Sequence, residues 1–212
     1  MPATRLIIIR HGETEWNVEG RLMGQLDSRL TPAGVAQAGR LAGRLGGVNV
    51  HALYSSDLGR AETTAQTIVG ESGSLVSDDR LRERHMGIFQ GLTVAEMRSL
   101  HPQARAEYET RGGVAAAPEG ESVMQHLSRT VDFLHDAVAR HGGGTVAVVT
   151  HGGMLRTLLQ YVLGIPYTAT LRFRRPNAAL NVFTYQSGRW ELDTWGDVAH
   201  LDGLSALDHP NV

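Results

Sequence analysis

The sequence predicts an α/β domain: a mostly parallel β-sheet with helices on both faces, and a small helical insertion over the edge where the strands end. Two observations carry that prediction. Short apolar runs of strand length alternate with longer runs of helical period from residue 5 to residue 163, the pattern of parallel strands joined by helical crossovers. The run "LNVFTYQSGRWELDTW" then reads as a hairpin with a Ser-Gly turn, which would place an antiparallel strand at one edge.

Taken in order, "RLIII" at 5–9 is a short apolar run of buried-strand type. "LTPAGVAQAGRLAGRLGG" is a helix with Thr31 as N-cap, Pro32 at the first position, apolar residues at 35, 38, 41, 42 and 45, and a Gly-Gly stop. "HALYSSD" is a short strand, and "DLGRAETTAQTIVGESG" a helix capped by Asp57 and closed near Gly70 or Gly73. "SLVSD" is a third strand. Residues 93–111 carry helical signals interrupted by Pro102, and "GGVAAAPEG" at 112–120 is a loop expected to be mobile. Residues 121–141 form a long helix with Val123, Leu127, Val131, Leu134 and Val138 as its apolar stripe. "TVAVVT" is the most strand-like run, and "GGMLRTLLQYVLG" a helix leaving it. The stretch 84–120 has no strand and reads as an insertion over the sheet's C-terminal edge.

At 212 residues the chain reads as one domain, 1–212, long enough to bury about 70% of its unfolded surface without staples. There is no cysteine, so disulfides and thiolate metal sites are excluded. The N-terminus lacks the apolar core of a signal peptide and no apolar run nears ~20 residues, so a cytoplasmic location without a membrane partner is expected. A formal net charge of −2 gives no electrostatic case for nucleic acid. All 20 basic residues are arginine. That rules out a P-loop lysine or a lysine Schiff base, and it makes a lone arginine weak evidence.

Three predicted strands end in polar residues: Arg10-His11 after "LIII", "SSDLGR" leading to Arg60, and His151 after "AVVT". Ligands of open α/β sheets bind outside the carboxyl ends of the strands. Gly12, Gly152 and Gly153 allow sharp turns and close approach there, and helix N-termini at the same edge favour an anion. Two arginines with two histidines suit a tetrahedral dianion, most simply phosphate. A metal fits poorly, because arginine beside the ligands repels a cation and no carboxylate has the spacing of a zinc motif. No metal or cofactor is therefore expected.

These residues resemble the histidine phosphatase superfamily, also called the phosphoglycerate mutase-like family. "RHGETEWN", "SSDLGRAETTA", "LRERHMGIFQGL" and "VVTHGG" match its blocks in order, and "EGES" and "PNAALNVF" resemble further segments. The resemblance implies that His11 is the phospho-acceptor, that Arg10, Asn17, Arg60, His151 and Gly152 form the phosphate pocket, and that Glu83 is the proton donor. Further candidates for substrate contact are Arg21, His85, Glu121 and Ser122. A neutral imidazole is a nucleophile only when its other nitrogen is held as a donor, here expected to a nearby carbonyl. The leaving alkoxide needs a proton, so Glu83, in a partly buried pocket beside the substrate dianion, is expected to have a raised pKa. The acid phosphatase branch places Asp after the second histidine; Gly152 stands there, which resembles the intracellular mutase and phosphatase branch.

Other residues have plainer readings. Glu13 and Thr14 would serve the first turn of a helix; Glu121-Ser122 also read as a cap for the 121–141 helix. Arg172, Arg174 and Arg175 read as a solvated loop. His51, His101, His126, His135, His141, His200 and His209 read as surface or packing residues, and Trp190 and Trp195 as core. Compared with the family's mutases, the interval from Glu83 to His151 is short. Arg111 stands alone where those enzymes have an arginine pair, and Met23 and Met86 replace a hydroxyl and an aromatic residue. The expectation is a phosphatase acting on a small phosphorylated metabolite, with residues 84–120 as a lid and room for a homodimer. A phosphoglycerate mutase is the alternative, and a phosphoanion-binding protein without turnover a more distant one.

Overall fold

A computed structural model describes residues 2–70 and 73–204, so His209 lies outside the described residues. The strands are β1 (Thr4–Arg10), β2 (Ala52–Ser55), β3 (Leu75–Ser77), β4 (Thr145–Thr150), β5 (Leu180–Gln186) and β6 (Arg189–Asp197). The helices are α1 (Glu15–Glu19), α2 (Pro32–Leu45), α3 (Gly59–Val69), α4 (Val94–Leu100), α5 (Pro102–Thr110), α6 (Val123–Arg140) and α7 (Gly152–Leu163). No helix among the described residues is long and apolar enough to cross a membrane.

One six-stranded sheet has the order β3-β2-β4-β1-β5-β6. The chain leaves β1, builds β2 and β3 further out, and returns to lay β4 in the gap beside β1. Strands β1 to β4 are parallel, and β5 is antiparallel to β1. The hairpin differs from expectation in one respect. Its antiparallel strand β5 is second from the edge, and the edge strand β6, antiparallel to β5, runs with the other four. The turn is Ser187-Gly188, both at positive φ (52° and 83°), the twist that a two-residue hairpin requires.

Period-two alternation divides the core. Leu6, Ile8, Val146 and Val148 pack under Phe133, Leu134, Leu155 and Leu158 of α6 and α7. Ile7, Ile9, Ala147 and Val149 pack under Leu41, Leu45, Ala61 and Ala65 of α2 and α3. Both faces of β1 and β4 are thus covered, which is why these strands read as unbroken apolar runs. Trp190 and Trp195 pack half-buried against the first layer. A third cluster, Met86, Phe89, Met97 and Ala117, lies within residues 84–120.

Local expectations need three corrections. Asp57 does not cap α3: Leu58 holds that position without a side-chain bond, and Asp57 instead pairs with Arg82. The buried stripe of α6 is His126, Thr130, Phe133, Leu134 and Ala137, with Val123, Leu127, Val131 and Val138 only half-buried at its flanks. Glu13 precedes α1 rather than joining its first turn, and accepts from the Thr31 hydroxyl at 2.7 Å; Thr14 is the α1 N-cap in a capping box with Asn17.

The contact between the β1 exit and the start of α2 sets a sharp steric demand. A Cβ at Gly34 would lie 2.0 Å from the Glu13 carbonyl oxygen, a backbone atom that cannot swing away, whereas nothing stands within 4 Å of one at Gly39 on the same helix. Gly34→Ala should therefore lose about 1–3 kcal/mol. Gly39→Ala should gain about 0.5–1 kcal/mol, because alanine is the better helix former at an exposed interior position. Thermal denaturation of the two variants checks this, and equal melting temperatures would contradict it.

Candidate active site

His11 follows β1 and His151 follows β4. Arg10 pairs with Thr150 in parallel register, so the two imidazoles emerge side by side, ring centres 5.3 Å apart. The sheet hydrogen bonding continues past the strand end, with His11 N donating to Thr150 O at 2.9 Å. Both rings are buried. His11 Nδ1 donates to the Gly12 carbonyl at 2.7 Å. Since a carbonyl only accepts, the proton is on Nδ1 and Nε2 keeps its lone pair. Burial, then Arg60 and Arg10, hold the His11 pKa well below the ordinary imidazole value. Burial, Arg60 and His11 do the same for His151. Both rings are neutral at pH 7.

The arginines are held by backbone oxygen. Arg10 Nη1 donates to the Arg175 carbonyl, and Arg175 Nη1 to the Gly152 carbonyl at 2.8 Å. Arg60 donates to the carbonyls of Leu26 (2.7 Å) and Gly24 (2.8 Å) and to Asp27 Oδ1 (3.1 Å). Its Nε–H is buried without a protein partner, as are both ring nitrogens of His151. Buried polar groups normally find partners. Here the unpartnered Arg60 donor belongs to a residue that lines the cavity, whereas His151 is not on the cavity wall and lies fully buried against the His11 ring. Thr64 couples the pieces, accepting from Gly12 N (3.0 Å) and donating to Arg60 O (2.7 Å).

Asn17 lines the same cavity. Its Oδ1 accepts from Thr14 N and from Asn177 Nδ2, both at 3.1 Å, which leaves its Nδ2 donors for a ligand. Asn177 Nδ2 also donates to His11 O at 3.0 Å, and Ala178 N donates to Arg10 O at 3.0 Å. The "PNA" segment therefore fixes the β1 exit from behind.

Glu83 is the acidic residue among those lining the cavity, which also include Arg10, Arg21, Arg60, Arg84, Arg156 and Arg175. Its Oε2 accepts from Gly153 N at 2.7 Å and its Oε1 from Arg84 N at 2.8 Å. The first of these is an α7 N-terminal amide, where an acid is favoured. Gly153 is needed there, because a Cβ would stand 2.0 Å from Glu83 Oε1. Without a dianion beside it, Glu83 does not show the raised pKa. Burial pushes the carboxyl up, but His126, the two amides and Arg60 outweigh it, and the net shift is downward. His126 is itself lowered to about 4, chiefly by burial, so at neutral pH the amides and Arg60 carry the effect. Among the described residues neither neighbouring arginine pairs with Glu83: Arg82 binds Asp57, and Arg84 binds Gly113 O and the Tyr108 hydroxyl.

Other expectations fare differently. Arg21 lines the cavity but is engaged by Glu19 and Glu96, each at 2.7 Å. His85 is not on the cavity wall: its Nδ1 accepts from Gly87 N and its Nε2 meets Gln90 Nε2. Glu121 is bound to Arg129, and Ser122 is the α6 N-cap; neither lines the cavity. Arg175, read as a solvated loop residue, stands on the wall. So do Trp16, Tyr108 and Arg156, which sequence reasoning did not single out. Arg156 lies one helical turn beyond Gly152 on the helix leaving the second histidine, and that spacing could have found it.

An α/β sheet that ends in a neutral, buried imidazole beside unpartnered cationic and amide donors defines a protein of phosphoryl chemistry. The chain belongs to the histidine phosphatase superfamily (branch 1), whose profile matches residues 6–198; it is a histidine phosphatase with the phosphoglycerate mutase-like fold. It is similar to phosphoglycerate mutase-like protein 4 of Arabidopsis thaliana, 39% identical over 207 residues, covering 95% of this chain and 89% of the relative. It is 36% identical over 208 residues to the metal-independent phosphoserine phosphatase of the same plant, covering 96% and 86%. Among solved structures, Bacillus stearothermophilus YhfR superposes with a TM-score of 0.85 at 34% identity, covering 93% of this chain and 98% of that one.

Three buried histidines with lowered pKa values, His11, His126 and His151, fix the sign of the stability profile. At pH 7 they are neutral folded and mostly neutral unfolded. Below about 6.5 the unfolded chain takes up protons that the folded chain refuses, so stability falls. His126 alone, with its folded value about 4, should lose about 1.4 kcal/mol per pH unit between those limits. Urea denaturation at pH 7 and pH 5 should show a clearly lower midpoint at pH 5; an unchanged midpoint would mean the histidines are charged in the fold.

Proposed function

We propose that this protein is a metal-independent phosphatase that hydrolyses small phosphomonoesters through a phosphohistidine at His11. The observation that carries the reading is the His11 Nδ1–Gly12 O bond, which leaves Nε2 as an unprotonated nucleophile in a cavity walled by arginine. Nε2 attacks phosphorus, the phosphorus–oxygen ester bond breaks, and the leaving alkoxide takes a proton from Glu83. Water then attacks the phosphohistidine, its proton passing to the Glu83 carboxylate, and phosphate leaves as the nitrogen–phosphorus bond breaks. Arg10, Arg60, His151 and Asn17 hold the phosphoryl oxygens, and such positioning and charge stabilisation make up most of phosphoryl-transfer catalysis. In the free site Glu83 is ionised. A bound dianion offsets Arg60 and raises the Glu83 pKa, so that substrate brings the proton donor into its working state.

Residues 84–120 complete the site as a lid within the single domain. Arg84, Met86 and Tyr108 from that stretch reach the cavity wall. A mutase must retain its phosphoryl group and bind the substrate carboxylate. The resemblance to mutases suggested an arginine pair for this near residue 111, but Arg111 is exposed and does not line the cavity. Hydrolysis is favoured by the short interval from Glu83 to His151, which leaves little chain to enclose a retained phosphoryl group. The wall carries a different cationic pair: Arg84 and Arg156 line it with no carboxylate at ion-pair distance among the described residues, and the charge of Arg84 adds to burial in lowering the Arg156 pKa. They favour an alcohol half that carries its own acid group, as in phosphoserine, the substrate named for one relative.

His11→Ala should reduce turnover of p-nitrophenyl phosphate to near background with the fold intact. Excess EDTA should leave the wild-type rate unchanged, and trapped phosphoenzyme should be acid-labile and alkali-stable. Activity within tenfold of wild type in the variant, or a tenfold loss with EDTA restored by a divalent ion, would overturn the reading.

The anionic wall partner gives a separate test. Arg156→Gln should lower kcat/KM for phosphoserine by about 10–100-fold, the range of a hydrogen bond to a charged group. The same variant should stay within about threefold of wild type on p-nitrophenyl phosphate, which has no second acid; equal effects on both substrates would remove Arg156 from recognition.

A further inference from the structure

Glu83 stands outside every strand and helix, in the segment between a single 3-10 turn at Asp79–Leu81 and another at Gly87–Phe89. No sheet ladder fixes its backbone, yet a proton donor must be held to within a fraction of an ångström. Gln25 Nε2 donates one bond to Glu83 O at 3.1 Å, and a second side chain supplies most of the remaining constraint. Arg129, on α6, donates from Nη1 to Arg80 O (2.7 Å) and Arg82 O (2.6 Å), and from Nη2 to Glu83 O (3.0 Å). Its remaining donors go to one carboxylate, Nε to Glu121 Oε1 and Nη2 to Glu121 Oε2, each at 2.8 Å. These bonds use all five N–H groups that a guanidinium possesses. Glu121 extends the grip, since its Oε2 accepts from His85 N at 3.2 Å and its own amide donates to His85 O at 2.8 Å. The backbone on both sides of Glu83 is thereby bolted to α6. That helix is anchored in the core by Phe133, Leu134 and Ala137.

We propose that Arg129, braced by Glu121, is the positioning residue for the Glu83 carboxyl: it sets the distance between that carboxyl and the leaving oxygen without touching substrate. This rests on the reading of Glu83 as the proton donor. Arg129 does not line the cavity and, unlike His151, has no N–H left to offer a ligand, so a direct substrate role is not available to it. The planar fork is essential. Lysine offers three donors from one point and cannot span three carbonyls and a bidentate carboxylate together.

A residue that merely stabilises the fold and one that aims Glu83 make different predictions. The quantity to read is kcat/KM, which reports events up to release of the alcohol. An alkyl phosphate departs as a strong base and needs the proton, whereas p-nitrophenyl phosphate hardly does. Arg129→Lys should cost roughly 10–100-fold on an alkyl phosphate, the scale of an ångström-sized misplacement, and no more than about threefold on the aryl ester. Glu83→Gln should show the same split. In the Glu83→Gln background Arg129→Lys should add nothing, because the group it aims no longer carries a proton. Glu121→Gln, which keeps the size of the brace and removes its charge, should reproduce the split more weakly, and it serves as the working variant if Arg129→Lys fails to fold by circular dichroism. Equal losses on alkyl and aryl esters, or additive losses in the double variant, would reduce Arg129 to a structural clamp. Absence of any split in Glu83→Gln itself, with His11→Ala still inactive, would remove the proton donor and the proposal with it, while leaving the phosphohistidine reading in place.

Discussion

The parallel register between β1 and β4 is the constraint on which the site depends. Arg10 lies opposite Thr150, so each histidine that follows a strand end leaves the sheet beside the other. A slip of one residue would turn one imidazole to the opposite face and separate nucleophile from pocket. Both faces of β1 and β4 are apolar and covered, so what opposes such a slip is close packing: Ile7, Ile9, Ala147 and Val149 fit one helical layer and Leu6, Ile8, Val146 and Val148 the other, and side chains of different size and shape would have to exchange layers. The precision of the chemistry is thus set by side-chain packing several residues upstream of it.

A second theme is how cationic charge is kept in a buried place. Burial lowers the pKa of Arg60, though a guanidinium keeps its proton in any protein environment. The backbone carbonyls of Gly24 and Leu26 and the carboxylate of Asp27 replace part of its lost hydration, leaving the Nε–H and one Nη2–H without a protein partner. The same field makes protonation of His11 and His151 unfavourable. One set of positive charges therefore does two jobs, attracting the substrate dianion and keeping the attacking nitrogen free. Against burial, Arg60 also adds the smallest share, after His126 and the Gly153 and Arg84 amides, to what lowers the Glu83 pKa. Attack, anion binding and proton donation are coupled through a shared electrostatic field rather than through contacts between the three groups.

Much of the site's inventory was legible in the sequence. His11, Arg10 and His151 sit directly at strand ends, and the apolar runs before them mark where the chain emerges. Helix α2 was readable to its cap because Thr31 and Pro32 act locally, through their own backbone neighbours. Asp57 misled because its side chain had a stronger offer from Arg82, twenty-five positions away. His85, Glu121 and Ser122 sit in segments matching the family, but tertiary bonds to Gln90, Arg129 and the α6 backbone claim them.

The sequence by itself determined the order of strands and helices, the glycines at the turns and the residue types at the strand ends, because these follow from periodicity and local sterics. Only the tertiary structure decided that β4 returns to lie between β2 and β1, that Arg156 and Arg175 join the wall, and that the Glu83 carboxyl is ionised rather than protonated. Those outcomes depend on groups distant in sequence meeting in space: the Gly153 amide 70 positions from Glu83, and the Arg60 guanidinium beside both. A carboxyl's pKa is the difference between burial and the charges that burial brings near, and neither quantity exists before the chain is folded.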